Sequence, residues 1–135
     1  MTIPAHKVLI VEDNDNDRLL LTRVLQKAGY LVWYAWDAFS VLPETRKFKP
    51  EVIVLDMGLP GGGGMAVLDR LQRQMDLMQT PIIVYSGHDD EILSARLGKY
   101  PNVRSYLVKT ATDWTSLLEA VGAAVSQGEK AEGHQ

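Results

Sequence analysis

The chain has 135 residues, of which 46% are hydrophobic and 23% charged, which is enough material for one globular domain with its own core. Its net charge of -3 lacks the basic excess of nucleic-acid binders, and the absence of cysteine excludes disulfide scaffolds, thiolate zinc sites and cysteine nucleophiles. No apolar stretch approaches the roughly 20 residues that cross a bilayer, and no signal peptide is recognisable, so we expect a cytoplasmic protein that binds neither nucleic acid nor membrane.

Runs rich in β-branched residues alternate along the chain with segments of helical periodicity, and five such pairs can be counted. The predicted strands cover residues 7–11, 31–35, 52–56, 82–86 and 103–108. The predicted helices cover about 15–28, 37–47, a segment from 65 onward, 89–97 and a segment from 112 or 113 onward. This alternation predicts repeated βα units, and therefore an α/β fold with a parallel sheet.

Local signals refine the helices and the end of the domain. Asn14 or Asp15 can cap the first helix, and Pro43 is expected to kink the second. After residue 127 the sequence becomes rich in Gly, Glu, Lys and Gln, so we predict a domain over 1–127 and a disordered tail over 128–135. Four apolar residues of the first helix are expected to face the core: Leu19, Leu20, Val24 and Leu25.

Three carboxylates follow two of the predicted strands, with Glu12 and Asp13 after the first and Asp56 at the end of the third. The carboxyl ends of parallel strands form one edge of a sheet, where ligand sites of open α/β proteins are found. Clustered carboxylates repel one another unless a cation intervenes, and a few hard oxygen ligands suit Mg²⁺. The sequence therefore predicts a metal site, although Glu12 and Asp13 taken alone also fit turn or helix-cap residues.

Further residues at the same predicted edge complete a pattern. The pattern consists of V-E-D-N at 11–14, D-x-x-L-P at 56–60 with Gly64 beyond it, Y-S-G at 85–87, and Tyr106 three residues before Lys109. In this order and on these elements, the chain resembles the CheY-like receiver domain of two-component response regulators over about residues 7–127. The resemblance implies a doubly wound, flavodoxin-like three-layer sandwich whose five parallel strands lie in the order 2-1-3-4-5.

The resemblance also implies roles for the acidic residues. Asp56 would accept a phosphoryl group from a phosphohistidine on a sensor histidine kinase or phosphotransfer protein, which is a signalling reaction rather than the turnover of a substrate. Mg²⁺, with Mn²⁺ as an alternative, would be held by Asp13, Asp56, the backbone carbonyl of Gly58, and Glu12 directly or through water. Counting charges supports a cation independently, because three carboxylates and Lys109 sum to -2.

Ser86 and Tyr106 are the switch residues that the resemblance implies: the hydroxyl would bond the new phosphate and the ring would rotate inward. The alternative is that Tyr106 is a half-buried aromatic residue of the strand that never moves, since aromatic residues favour strands in any case. The donor would dock near the first helix, and a downstream protein or a second copy would bind the face formed by the fourth helix, fifth strand and fifth helix. Candidate contacts on that face are Leu93, Arg96, Tyr100, Tyr106 and Trp114.

The chain departs from the receiver pattern at three positions. Receivers usually carry a proline directly after the lysine of the fifth strand, joined to it by a cis peptide bond, whereas here Thr110 follows Lys109. We expect the bond between Lys109 and Thr110 to be trans, because a cis bond before a residue other than proline costs about 2.5–4 kcal/mol. Gly58 and Gly87 replace larger side chains, which loosens the pocket.

Two alternative functions stay open. One is a degenerate receiver that binds partners without phosphorylation. The other is a Mg²⁺-dependent phosphohydrolase of the haloacid-dehalogenase kind, which Gly58 disfavours because those enzymes place a second Asp at that position to protonate the leaving group. Since no output domain follows in the sequence, the chain is either a stand-alone receiver or a piece of a longer kinase or regulator.

Overall fold

The computed structural model describes residues 5–87 and 91–132. The strands are β1 Lys7–Val11, β2 Leu31–Ala35, β3 Val52–Leu55, β4 Ile82–Ser86 and β5 Val103–Val108. The helices are α1 Asp15–Lys27, α2 Val41–Phe48, α3 Gly63–Gln72, α4 Glu91–Leu97 and α5 Trp114–Glu132. The five predicted strands are confirmed, and β3 ends one residue earlier than predicted, just before Asp56.

The strands form one parallel sheet in the order β2-β1-β3-β4-β5, which confirms the predicted doubly wound topology. Every residue of β3 and β4 is buried, as expected for central strands that have helices on both faces. Leu9 packs in the layer under α2, α3 and α4, whereas Ile10 packs in the layer under α1 and α5. The sheet therefore separates two hydrophobic layers, and its carboxyl edge stays open for a site.

Helix α1 buries a different face from the one predicted. Leu21 and Leu25 are buried, whereas Leu19 and Leu20 are 48% and 49% exposed, so the prediction was wrong for these two residues. Because three leucines follow one another in α1, helical periodicity alone does not identify which of them face inward. Packing of the helix against β1 and β2 determines the buried face. Asn14 is the N-cap, and its side chain accepts a hydrogen bond from the Asp17 N–H at 3.0 Å.

Helix α2 begins four residues later than predicted. The Asp37 carboxylate accepts the Ser40 N–H at 2.8 Å in a turn that precedes the helix, which starts at Val41. Pro43 is therefore the third helical residue, in the first turn, where a backbone N–H has no partner within the helix. The predicted kink was wrong, because this proline removes no helical hydrogen bond.

The last helix is longer than the sequence indicated. Helix α5 continues to Glu132, five residues beyond the predicted end of the domain, and the predicted disorder of the tail stays a prediction. Ala, Glu and Lys are strong helix formers, and a helix already nucleated by packing gains one hydrogen bond for each residue added. Residues 133–135 lie outside the described residues, as do 1–4 and 88–90, which include the predicted start of the fourth helix. Within the described chain, no helix combines the length and apolar character needed to cross a bilayer.

The segment between α4 and β5 is fastened to α3 and to the loop before β4. The buried Asn102 side chain donates to the Thr80 carbonyl at 3.2 Å and accepts from the Gln72 amide at 2.7 Å. The Tyr100 hydroxyl donates to the Asp69 carboxylate on α3. These bonds fix the carboxyl end of α4 to the body of the domain.

Candidate functional site

The structure brings the three acidic residues together at the carboxyl edge of the sheet. Glu12 and Asp13 follow β1, and Asp56 follows the neighbouring β3, where its N–H donates to the Val11 carbonyl at 2.9 Å. One carboxylate oxygen of each acid lies within 4.8 Å of the other two. Glu12 is only 1% exposed, Asp56 is half-buried and Asp13 is exposed, so the cluster runs from the core to the solvent.

Glu12 is the most perturbed acid of the cluster. Burial raises the pKa of Glu12 most, and the adjacent Asp56 carboxylate raises it further. The ammonium of Lys109 lowers this pKa in part, and the net result is a pKa of about 7. The Asn14 N–H donates weakly to this carboxylate at 3.4 Å. A cation placed beside Glu12 would favour its charged form.

Lys109, directly after β5, reaches across the edge to the acids. Its ammonium donates to the Glu12 carboxylate and, at 3.2 Å, to the Asp17 carboxylate, and its backbone N–H donates to the Ser86 carbonyl at 2.7 Å. Burial opposes its charge, yet the hydrogen bond to Glu12 and the charge of Asp56 raise the pKa of Lys109 above its ordinary value. Lys109 is therefore a charged member of the cluster.

Asp17 belongs to this site and was missed by the sequence analysis. Asp17 lies in the first turn of α1, four residues after Asp13. This spacing of about one helical turn returns the Asp17 side chain toward the same edge of the sheet. The run of alternating Asn and Asp at residues 14–17 is the signal that could have found it.

A cavity of about 330 Å³ opens beside Asp56. Ser86, which is buried at the end of β4, and Lys109 supply its other polar side chains. The residues that line it are Asp56, Met57, Gly58, Ser86, Gly87, Leu93 and Lys109. The arrangement offers one carboxylate, one hydroxyl and one ammonium to a small anionic group.

A family model of the response regulator receiver domain matches residues 8–122. The chain belongs to this family. As a receiver, it is 28% identical over 120 residues to protein PilH of Pseudomonas aeruginosa, a match that covers 89% of this chain and 98% of that protein. Sporulation initiation phosphotransferase F of Bacillus subtilis is 31% identical over 90 residues, which cover 67% of this receiver and 73% of that protein.

A solved structure of the chemotaxis protein CheY4 of Vibrio cholerae superimposes on this receiver with a TM-score of 0.81 at 25% identity. The superposition covers 90% of this chain and 99% of that one. The predicted family and its CheY-like fold are therefore confirmed.

The departures of this receiver lie around the cavity. The Gly58 N–H faces Asp56 Oδ1 at 3.4 Å, and a Cβ added there would lie 3.8 Å from Asp56 Oδ2, which is an ordinary contact. A Cβ at Gly87 would meet nothing within 4 Å. Both glycines therefore leave open space beside Asp56. The peptide bond between Lys109 and Thr110 is trans, as predicted.

Tyr106 lies half-buried on β5, opposite Val84, and packs against the layer under α2, α3 and α4. It is not among the residues that line the cavity. Its predicted role as a switch stays a prediction.

The glycine run after Asp56 has a structural explanation. Gly61, Gly62 and Gly63 have φ angles of 86°, 110° and 76°, a left-handed region that side chains with a Cβ rarely adopt. A Cβ on Gly64 would lie 2.8 Å from the Met57 Cα, so this position requires glycine for close approach. Phe39 covers Gly61, and this packing fixes the loop that leads away from Asp56.

Proposed function

We propose that this receiver accepts a phosphoryl group on Asp56 and thereby controls the binding of another protein. The observation that carries the proposal is the meeting of Asp56, Lys109 and Ser86 at one cavity, directly beside the acidic cluster. Phosphoryl transfer needs little from a protein beyond positioning and the neutralisation of negative charge. A fixed carboxylate with an ammonium and a hydroxyl at the same cavity provides both.

The donor set of the cluster fits a divalent cation. Mg²⁺ ligands lie at about 2.1 Å, so opposite ligands are roughly 4.2 Å apart, close to the 4.8 Å that contains the three carboxylate oxygens. We infer that Asp13, Asp56 and Glu12, with the carbonyl of Gly58, hold Mg²⁺ or Mn²⁺. When bound, the ion supplies positive charge to the oxygens of the transferring phosphoryl group.

In the proposed step, a carboxylate oxygen of Asp56 attacks the phosphorus of a phosphohistidine, forming an O–P bond while the P–N bond breaks. The imidazole nitrogen leaves with the bonding electron pair. Lys109 balances the charge of the new acyl phosphate, and for this its ammonium shifts from Glu12 and Asp17 toward Asp56. The Ser86 hydroxyl, buried at the cavity wall, donates to a phosphoryl oxygen and marks the phosphorylated state.

We infer that the donor is a histidine kinase or phosphotransfer protein that docks beside α1. Asn14 and Asn16 are exposed next to the acidic cluster, and Leu19 exposes an apolar contact one turn further along. Phosphorylation would be read on the face of α4, β5 and α5, where Tyr106 turns inward after Ser86 engages the phosphate. Arg96 and Trp114 are exposed on this face and are candidate contacts.

The test is the intact mass of the protein after incubation with acetyl phosphate, with Mg²⁺ and with EDTA. We expect one phosphoryl group on the wild type in Mg²⁺ only, and none on Asp56→Asn. Asp15→Asn is the matched control, since Asp15 is an exposed acid of α1 outside the cluster, and it should be phosphorylated normally. A stable, folded wild type that gains no mass in Mg²⁺ would favour the degenerate receiver instead.

The phosphohydrolase alternative is opposed by the cavity itself. Among the described residues that line it, Asp56 is the only acid, and Gly58 occupies the position where a second acid would protonate a leaving group. Steady release of alcohol from a simple phosphate monoester over many turnovers would support the phosphohydrolase alternative instead.

A further inference from the structure

We propose that two copies of this chain pair through the outer edge of β2, forming a symmetric dimer with one continuous sheet. β2 is the outermost strand, and among the described strands only β1 pairs with it. This surface lies on the opposite side of the sheet order from β5 and the face proposed to read phosphorylation. The inference does not depend on the proposed phosphorylation of Asp56.

The backbone of β2 is arranged to accept another strand. The Leu31 N–H donates to the His6 carbonyl at 2.9 Å, and the Ala35 carbonyl accepts the Glu12 N–H at 3.0 Å. Backbone groups of alternate residues point to opposite sides of a strand, so those of Val32 and Tyr34 point away from the sheet. In an antiparallel pair centred on Trp33, Val32 of one copy lies opposite Tyr34 of the other, and each such pair exchanges two hydrogen bonds.

The side chains of this edge are apolar where monomeric proteins usually place charges, bulges or proline. Leu31 is 51% exposed and Trp33 47% exposed, and Trp36 just beyond the strand is also exposed. The Tyr34 ring lies between those of Trp33 and Trp36, with centroids 5.1 Å and 5.8 Å away. Exposed tryptophans of this kind carry much of the binding energy in protein interfaces.

A groove between α1 and β2 continues this edge. Its volume is about 440 Å³, and Val32, Trp33 and Tyr34 of β2 line it together with mainly polar side chains of α1. Backbone hydrogen bonds of a short strand bury too little surface for a stable dimer, which needs about 800 Å² from each partner. The groove and the exposed indoles supply the additional contact area.

The charges around β2 favour a second, antiparallel copy as the occupant. Acidic Asp37, just after β2, lies at the carboxyl end of the strand, where Asp15 is already paired with Arg18. Basic Lys27 and Lys47, in the last turns of α1 and α2, lie at its amino end, because both helices run antiparallel to the strand. Antiparallel pairing brings the acidic end of one copy to the basic end of the other, whereas parallel pairing would oppose like charges.

The first test is sedimentation velocity of the full chain over a wide range of concentrations. We expect the wild type to shift from the mass of one copy to that of two. Trp33→Lys should raise the dimer dissociation constant at least tenfold, and so should Val32→Pro, which removes an outward-pointing donor without breaking a bond to β1. Ile92→Lys, at an exposed residue of α4, is the matched control and should leave the dissociation constant unchanged.

Hydrogen exchange then identifies the paired edge. The amides of Val32 and Tyr34 should become protected at dimer-forming concentrations in the wild type but not in Trp33→Lys. The backbone amides at positions 33 and 35, which face β1, should be protected in both proteins and confirm that the variant is folded. A wild type that stays monomeric up to its solubility limit, or a dimer that survives Trp33→Lys and dissociates in Ile92→Lys, would overturn the proposal.

Discussion

Removing one carboxylate from the acidic cluster is expected to stabilise the metal-free protein. Glu12 and Asp56 present oxygens within 4.8 Å of each other, and at that separation two unit charges repel by about 3.5 kcal/mol at an effective dielectric constant of 20. Solvent and salt screen part of this repulsion at the half-buried Asp56, and the loss of its attraction to Lys109 offsets a further part. We therefore expect Asp56→Asn to raise the free energy of unfolding in EDTA by ~1–2 kcal/mol at pH 8.

The stabilisation should depend on pH with a defined sign. Burial and the adjacent Asp56 raise the pKa of Glu12 from 4.5 to about 7, so between these values the folded protein holds a proton that the unfolded chain has lost. The stability of the wild type in EDTA therefore falls as the pH rises through this window. Asp56→Asn lowers the pKa of Glu12 and flattens this dependence, so its stabilising effect should be small at pH 5.

The assay is equilibrium unfolding in urea, followed by circular dichroism, at pH 5 and pH 8 in EDTA. With a urea dependence of roughly 2 kcal/mol per M, the midpoint of Asp56→Asn should lie about 0.5–1 M above that of the wild type at pH 8. Glu119→Gln, at an exposed acid of α5 outside the cluster, is the control and should change little. Equal stabilisation at both pH values, or a loss of stability at pH 8, would refute the electrostatic reasoning.

Two matched pairs of substitutions test the packing. Gly64→Ala should lower the free energy of unfolding by about 1–3 kcal/mol, because its Cβ would lie 2.8 Å from the Met57 Cα, whereas Gly58→Ala should be nearly neutral, since its nearest contact is 3.8 Å. Leu25→Ala should cost about 2–5 kcal/mol by opening a cavity, while Leu20→Ala, at a half-exposed side chain of the same helix, should cost well under half as much. Urea unfolding measures all four, and similar losses for Leu20→Ala and Leu25→Ala would contradict the observed burial of α1.

The sheet and the location of the site could be predicted because both follow from short-range features of the chain. Runs of β-branched residues mark the central strands, and in a parallel sheet every residue that follows a strand arrives at the same edge. Glu12, Asp56 and Lys109 could therefore be placed near one another without knowledge of side-chain geometry. Ser86 joins them for the same reason.

The features that the sequence could not supply depend on packing distances. The inward face of α1 was chosen by contact with β1 and β2, since the leucines at 19, 20 and 21 fit several helical phases equally well. The attachment of Lys109 to Asp17 depends on how far a flexible side chain reaches across the edge. The predicted strand order already places β2 outermost, but the exposed fraction of Trp33 depends on how closely α1 and α2 pack over that strand.

The bonds that fasten the segment after α4 determine how this helix can move. Leu97 is buried at its carboxyl end, and Tyr100 and Asn102 just beyond are bonded to α3 and to the loop before β4. Leu93, toward the other end, lines the cavity beside Asp56. Since the bonded segment directly follows Leu97, we expect any displacement of α4 to be smallest there and larger at Leu93, beside the cavity.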